Sequence, residues 1–505
     1  MRRLVPSLLF VAALAASALE LSLFPDPLNN SYSPLLRLPP EAQPSLALSA
    51  ARGEAVYAAL MLFNPGPQTA YVRIQADDFP ASALTLREAA HIRASFGQLV
   101  ADVLPILSQD GIVVIPAGEN RQLFVDLDTR SLPAGTCAGV IRCTDTSSLK
   151  SVECQLTVRI SGVLALPSRH PLSVLVWDCS LYGTTGELAT NILNELTGNY
   201  VNTFHVLERA SACFNATGDM VEPPDFSALD ARLDLLQGKG LLMLRCAAPN
   251  LQVPPKGALK ITTEAGAKAY GQWTKALVEH LKQRDLSCED FYLYIYDENL
   301  RDDFYAAACA AKAAVPDIRI YADPCSSTKQ EEVTRALEAR CVDYLQYHAG
   351  WFQHMTPELE KTSREQVAIM STYWCPVHHK RLSPSSFYRR MGAFAFQKNL
   401  TGVGFWAALG LAGDTWGTPL DDFRKSASPV AIYPAGDVTV MPSRRWKGFR
   451  AGLDDFLFFQ ALEQHFDSPR RTELLSKAYA AAENRLNPAE AARLRLDIIT
   501  LLEGK

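Results

Sequence analysis

The sequence predicts a β-sandwich at residues 19–166, a (β/α)8 barrel at 167–448 and a C-terminal helical segment at 449–505 packed on the barrel. Three patterns lead there. Short strand-like runs separated by turn residues fill the stretch from Glu54 to Ile160. Apolar runs then alternate with helix-patterned segments up to Ala407. From Phe449 onward apolar residues recur at spacings of three and four. A chain of 505 residues can hold two or three domains with sizeable cores.

Residues 1–18 have the form of a secretory signal peptide. Arg2 and Arg3 make a positive start, Leu4 to Ala15 is apolar but short for a membrane span, and Ala16-Ser17-Ala18 is a small-x-small cleavage site. The expected product is a soluble secreted or periplasmic protein, with no later apolar run long enough to cross a bilayer. A net charge of -5 leaves no electrostatic footprint for nucleic acid. The eleven cysteines include Cys137, Cys143 and Cys154 close together, where one disulfide is expected; no Cys-x-x-Cys pair is present.

Residues 19–50, rich in Pro, Ser and Leu, read as an irregular lead-in. Ala55–Phe63 and Thr69–Ala76 read as strands joined by Asn64-Pro65-Gly66-Pro67, a strong turn signal. Gly111–Ile115, Arg121–Asp126, Gly139–Cys143 and Val152–Ile160 continue the series, with a helical insertion expected over Leu84–Ala101. Short strands at this spacing indicate a sandwich.

Beyond the linker Pro167–Pro171, eight candidate strands follow: Leu172–Trp177, Val201–Val206, Gly240–Arg245, Phe291–Tyr296, Ile318–Ala322, Val342–Tyr347, Val367–Tyr373 and Gly402–Ala407. Helices are expected at Gly186–Thr197, Phe226–Gln237, Glu264–Arg284, Arg301–Ala314, Thr328–Ala339 and Ser385–Lys398. Eight strands alternating with helices over this length match a (β/α)8 barrel, whose active sites lie at the C-terminal ends of the strands. In the last segment Gly452–Glu463, Pro469–Ala482 and Pro488–Leu502 read as helices.

The fourth strand, Phe-Tyr-Leu-Tyr-Ile-Tyr, is apolar without alternation, as a strand buried on both faces should be, and it ends at Asp297-Glu298. Acidic residues before a helix also serve as caps. Other strand ends add Trp177-Asp178, Asn202 and His205, Tyr347-His348 with Trp351 beyond, Tyr373-Trp374, and Trp406 with Trp416 after it. Aromatic platforms beside hydrogen-bonding groups suit sugars, which present apolar C–H faces ringed by hydroxyls. Asp178, Asn202, His205, Tyr347, His348, Trp351, Tyr373, Trp374, Trp406 and Trp416 are therefore candidate substrate-binding residues. His348, His354, His378 and His379 match no standard metal spacing. No metal or cofactor is expected, and the expected partner is a glycan.

Glycoside hydrolysis usually needs two carboxyl groups, about 5–5.5 Å apart in retaining enzymes and about 6.5–9.5 Å apart in inverting ones. Strand seven ends in Trp374, with no acid to face Glu298. Adjacent carboxyls instead suit a substrate-assisted route. In it Glu298 protonates the leaving oxygen, the substrate's 2-acetamido oxygen attacks the anomeric carbon, and Asp297 holds the acetamido N–H. Two other readings stay open. One is a hydrolase for a sugar lacking that group, using Asp178 or Asp414 as the separate acid; the other is a non-catalytic carbohydrate-binding protein on the same barrel.

Tyr-Asp-Glu at the end of strand four resembles the catalytic pair of glycoside hydrolase family 123. The segments Tyr433-Pro434-Ala435-Gly436-Asp437, Pro442-Ser443-Arg444 and Arg450-x-Gly452-Leu453-Asp454-Asp455-Phe456 are similar to the C-terminal motif of the related domain of unknown function 4091 group. The resemblance implies the sandwich–barrel–helix order, exo-acting β-N-acetylgalactosaminidase activity, Glu298 as acid/base and Asp297 as the acetamido-orienting residue. Arg444, Arg450 and Asp454 are expected to form a structural charge network.

Overall fold

The computed structural model describes residues 19–504 except 42, 95–97, 178–183, 246–250, 254–256, 376–378, 410–429, 437 and 466. Its N-terminal part is two β-sheets face to face. One holds Glu20–Leu23, Ala55–Phe63, Asn120–Asp128 and Leu84–Glu88; the other holds Ser45–Arg52, Ser151–Ala165, Gly135–Asp145, Ala70–Asp77 and Ile112–Ile115. Apolar residues from both inner faces, among them Leu60, Leu123, Ile141 and Val158, form their common core.

Three expectations for this part need correction. The lead-in is not irregular: Glu20–Leu23 pairs antiparallel with Leu60–Phe63, and Ser45–Arg52 pairs parallel with the strand from Ser151. The stretch expected to be helical, 84–101, forms strands Leu84–Glu88, Ala90–Arg93 and Leu99–Val103. Its Leu, Ala, Arg and Glu residues favour helix, but the open edge of Asn120–Asp128 takes them as a strand, with Arg87 paired to Asp126 at 3.0 Å. Cys137, Cys143 and Cys154 are free thiols. Cys154 lies opposite Ile141 and Cys143 opposite Val152, so the two buried sulfurs belong to different cross-strand pairs.

The barrel follows. Its strands are β1 (Ser173–Val174), β2 (Thr203–Val206), β3 (Leu241–Arg245), β4 (Phe291–Tyr294), β5 (Ile320–Ala322), β6 (Tyr344–His348), β7 (Ile369–Trp374) and β8 (Gly402–Phe405). They lie parallel in sequence order, β8 beside β1, and a bridge from Leu175 to Thr203 closes the ring. All eight fall within or overlap the expected runs. Tyr292, Tyr294, Tyr321 and Tyr344 fill the interior with Leu175 and Met243, while Phe291, Leu293 and Ile295 face the surrounding helices. The unalternating run of β4 is thus buried on both faces. Interior hydroxyls find partners: Ser173 Oγ lies 2.7 Å from Thr203 Oγ1 and 3.1 Å from Tyr344 Oη.

Each strand is followed by a helix: α1 (Gly186–Gly198), α2 (Ser227–Leu236), α3 (Glu264–Gln283), α4 (Asp302–Ala314), α5 (Gln330–Glu338), α6 (Pro357–Gln366), α7 (Arg390–Gln397) and α8 (Arg444–Glu463). Helix α6 was not expected. It is almost wholly polar and buries only Leu359 and Ser363, so apolar periodicity could not reveal it. Its start signal was legible: Thr356 caps the Leu359 N–H at 3.2 Å, and Pro357 opens the first turn.

Helix α8 is the eighth stave of the barrel, and the expected boundary at 448/449 falls inside it. The helix is buried nearly all round, charges included. Arg445 and Asp102, both fully buried, pair at 2.8 Å and join α8 to strand Leu99–Val103 of the N-terminal part. Lys447 reaches Asp126 at 2.9 Å, and Arg389 reaches Asp455 at 2.6 Å. Arg450 pairs with Asp454 at 3.2 Å, within the structural network expected there. Arg444 is not ion-paired to that acid; its Nη1 donates to the Asn29 and Ala101 carbonyls at 2.7 and 2.9 Å. Helices α9 (Pro469–Ala482) and α10 (Pro488–Leu502) then close the chain. Among the described residues no helix is long and apolar enough to cross a membrane.

Candidate active site

A cavity of about 280 Å³ opens at the C-terminal end of the barrel. Asp297 and Glu298 from the end of β4 line it, together with Trp177, His205, Asp323, Gln346, Tyr373 and Trp406. Neighbouring residues of an extended strand face opposite ways. Here both acids serve one cavity because Glu298 leaves the strand conformation, with φ +52°. A left-handed non-glycine residue costs on the order of 1 kcal/mol or more and persists only where its surroundings hold it. Glu298 N–H donates to Asp323 Oδ1 at 3.0 Å, and that bond helps to hold the turn.

The two acids have different neighbours. Tyr373 Oη donates to Glu298 Oε1 at 2.5 Å. Asp297 receives Arg245 Nη2 on Oδ2 at 3.1 Å, while its Oδ1 lies 2.6 Å from Tyr294 Oη. Arg245 in turn lies over the rings of Trp177 and Tyr294, 5.6 and 5.4 Å from their centroids. Tyr294 Oη is also 2.7 Å from Asp323 Oδ2. Burial raises the Asp323 carboxyl well above the usual carboxylate range, and the neighbouring Asp297 adds to the effect. Burial likewise raises the Tyr294 and Tyr373 phenols, reinforced by the carboxylates beside them. It lowers His348, against which the Glu298 charge works.

The wall is aromatic. Trp177 packs on His205 with ring centroids 4.3 Å apart and meets Tyr294 edge-on at 6.4 Å. Tyr321 donates to Gln346 Oε1 at 2.7 Å on the floor. His205, Asp297, Glu298, Tyr373 and Trp406 therefore come together. His348 stands just outside, edge-on to Tyr373 at 5.3 Å.

Four expected site residues are elsewhere. Asn202 is spent on backbone, accepting from Val174 N at 2.8 Å and donating to the His170 and Leu172 carbonyls. It precedes β2 and so sits at the N-terminal end of the barrel, away from the cavity. Tyr347 points outward, its hydroxyl 2.8 Å from Ser363 Oγ on α6. Trp351 packs on Tyr347 and donates to the Cys325 carbonyl at 2.6 Å. Trp374, one step beyond Tyr373, faces outward onto Phe387 and Phe394. Asp178, Trp416 and the alternative acid Asp414 lie outside the described residues.

Sequence reasoning missed Asp323, Tyr294, Arg245 and Gln346. Asp323 follows β5 directly, the same kind of position that drew attention to Asp297. Tyr294 and Gln346 lie inside strands, where only the parity of the barrel shows that they face inward. Among the described residues no group of three His, Cys, Asp or Glu side chains is placed to hold a metal ion.

Among solved structures, the chain is similar to a family 123 glycoside hydrolase from Clostridium perfringens, with a TM-score of 0.74 at 12% identity over 97% of this chain and 99% of that one. A glycoside hydrolase family 5 mannosidase from Rhizomucor miehei aligns with 58% of this chain at a TM-score of 0.34 and 14% identity, covering 94% of its own. No family model and no curated protein matches the chain. At 12% identity the first likeness shows the fold, and it extends over the sandwich, the closed barrel and the helical end of this chain. The resemblance read from Asp297-Glu298 and the C-terminal motif thus has its counterpart in the fold.

Proposed function

We propose that this protein is an exported exo-acting glycoside hydrolase that removes terminal β-linked N-acetylgalactosamine by a substrate-assisted, retaining route. The observation that carries this reading is the placement of two consecutive acids in one aromatic-walled cavity, with different partners on each. The fold neighbour, a family 123 glycoside hydrolase, acts in hydrolysis of glycolipid glycans, which agrees with it. A cavity of about 280 Å³ is near the lower end of the roughly 300–1,000 Å³ range for small-ligand sites, and suits one sugar ring rather than a chain.

In this reading Glu298 acts first as acid. Tyr373 occupies Oε1, which leaves Oε2 for the glycosidic oxygen. As the bond to the aglycone breaks, the acetamido oxygen of the sugar closes on the anomeric carbon, forming an oxazolinium ion and releasing the alcohol that took the Glu298 proton. Asp297, held from behind by Tyr294 and Arg245, accepts the acetamido N–H and offsets the positive charge that grows on the group. Glu298, now a carboxylate, takes a proton from the water that opens the ring. Trp177 and Trp406 supply apolar faces for the sugar.

The test is hydrolysis of aryl β-N-acetylgalactosaminide, aryl β-N-acetylglucosaminide and aryl β-galactoside by the mature protein, beside Glu298→Gln. Release from the acetamido sugars alone, abolished in the variant, supports the reading. Release from the plain galactoside defeats the substrate-assisted route and points to a separate nucleophile.

A further inference from the structure

Three oxygens lie in a row beneath the acid pair: Asp297 Oδ1, Tyr294 Oη and Asp323 Oδ2, separated by 2.6 and 2.7 Å. Both gaps are hydrogen-bond distances, and each needs a proton. The phenol has one to give. The second must come from a carboxyl group, so one of the two aspartates is neutral.

The surroundings decide which. Asp297 is half exposed and paired with Arg245. Asp323 is 6% exposed, and no ion pair among the described residues includes it. The titratable groups around it are Tyr294 of β4, Asp297 and Glu298 of the loop after β4, Tyr321 of its own strand and Tyr373 of β7. Cys325 follows two residues later, His205 packs on Tyr294 at 5.8 Å, and Arg245 stands beyond Asp297. An uncompensated buried carboxylate among acids and phenols takes up a proton instead.

We infer that Asp323 is a neutral carboxylic acid that positions both acids of the pair: its Oδ2–H donates to Tyr294, Tyr294 donates to Asp297, and its Oδ1 accepts the Glu298 N–H. One buried side chain thereby orients the Asp297 carboxylate and pins the left-handed turn that brings Glu298 into the cavity. The raised Asp323 carboxyl agrees with this. The effect on turnover rests on the proposed roles of Asp297 and Glu298; the proton placement does not.

Two variants test it. Asparagine has the shape of the neutral acid: its amide N–H can donate to Tyr294 while its oxygen accepts from Glu298. Asp323→Asn is therefore expected to keep kcat within about threefold on the aryl acetamido sugars, whereas Asp323→Ala, losing both bonds, is expected to lose about a hundredfold in kcat with a smaller change in KM. Comparable loss in both variants, or none in Asp323→Ala, overturns the positioning role. The second readout needs no activity. A native carboxyl raised above its unfolded value makes the wild type lose stability as pH rises above about 4, which asparagine cannot do. The Tm of Asp323→Asn minus that of the wild type should therefore grow between pH 4 and pH 8. A flat or falling difference overturns the proton placement. A wild type silent on the sugars but with a growing Tm difference refutes the proposed function and leaves the neutral Asp323 standing.

Discussion

Tyr373 on β7 holds Glu298, in the loop after β4, by a hydrogen bond of 2.5 Å across the mouth of the barrel. Glycoside hydrolases usually set a second carboxyl group opposite the first. Here a phenol stands in that direction. It cannot act as a second carboxylate, but it fixes one oxygen of Glu298 and leaves the other for substrate. Tyr373→Phe removes this bond and little else. The bond aims Glu298, so its loss should lower kcat/KM by roughly 10-fold or more, with a fall in Tm of at most a few degrees. Initial rates and a melting curve on the same sample check it; an unaltered rate removes Tyr373 from the site.

His170 governs part of the acid sensitivity. Its Nδ1 accepts the Leu172 N–H at 3.1 Å and its Nε2 lies 3.1 Å from the Leu453 carbonyl, an arrangement that uses the neutral ring. Burial lowers its pKa to about 3, below the ordinary value of 6.5. The unfolded chain therefore binds a proton that the native state refuses. Stability contributed by the neutral ring is full above pH 6.5 and is lost as pH falls from there toward 3, by up to about 1.4 kcal/mol per pH unit. His170→Gln should be less stable at pH 7 but flatter across this window in denaturant titrations.

The sandwich thiols should behave as buried hydrophobes. Burial raises Cys143 far above the normal thiol value and Cys154 to about 11. Alkylation under native conditions should leave both unmodified, and denaturation without reductant should release both. Mass spectrometry of peptides decides; a Cys143–Cys154 crosslink in the isolated protein contradicts the free thiols seen here.

Helices α7 and α8 touch through glycines. A Cβ placed on Gly392 would come within 1.7 Å of the Gly452 carbonyl oxygen. That oxygen is backbone and cannot swing aside. Gly392→Ala should therefore destabilise the protein by about 1–3 kcal/mol or more, despite the better helix propensity of alanine. A stabilised Gly392→Ala protein would show that the helices can separate at little cost.

Barrel strands were legible because a strand covered on both faces is rich in apolar residues; Phe291–Tyr296 is apolar and aromatic throughout, while Arg319, Asp343 and Gln346 interrupt other runs without hiding them. Helix α6 was not, because one face of it meets solvent and the other buries only two residues. The start of α8 was hidden differently: Arg444, Arg445 and Lys447 break the apolar spacing ahead of Gly452, yet each is buried among carbonyls and carboxylates of the N-terminal part. At the site, strand ends identified where chemistry would gather but not which side chains faced it. Tyr373 and Trp374 are neighbours of the same character, and one register step sends the first into the cavity and the second onto α7. Asp323 is plain in the sequence as the residue after β5; what cannot be seen there is that Tyr294 reaches it.

The bond between Arg445 and Asp102 ties the fate of the two halves together. Helix α8 is a stave of the barrel, and two of its buried cations are neutralised by acids of the N-terminal part, Asp102 for Arg445 and Asp126 for Lys447. A barrel cut free of its partner would present these charges, with the apolar groups around them, to an interface that no longer exists, and breaking a buried pair in this way costs about 3–5 kcal/mol. The sandwich is therefore less an accessory module than the missing wall of the barrel. The two halves should thus unfold together, in one transition.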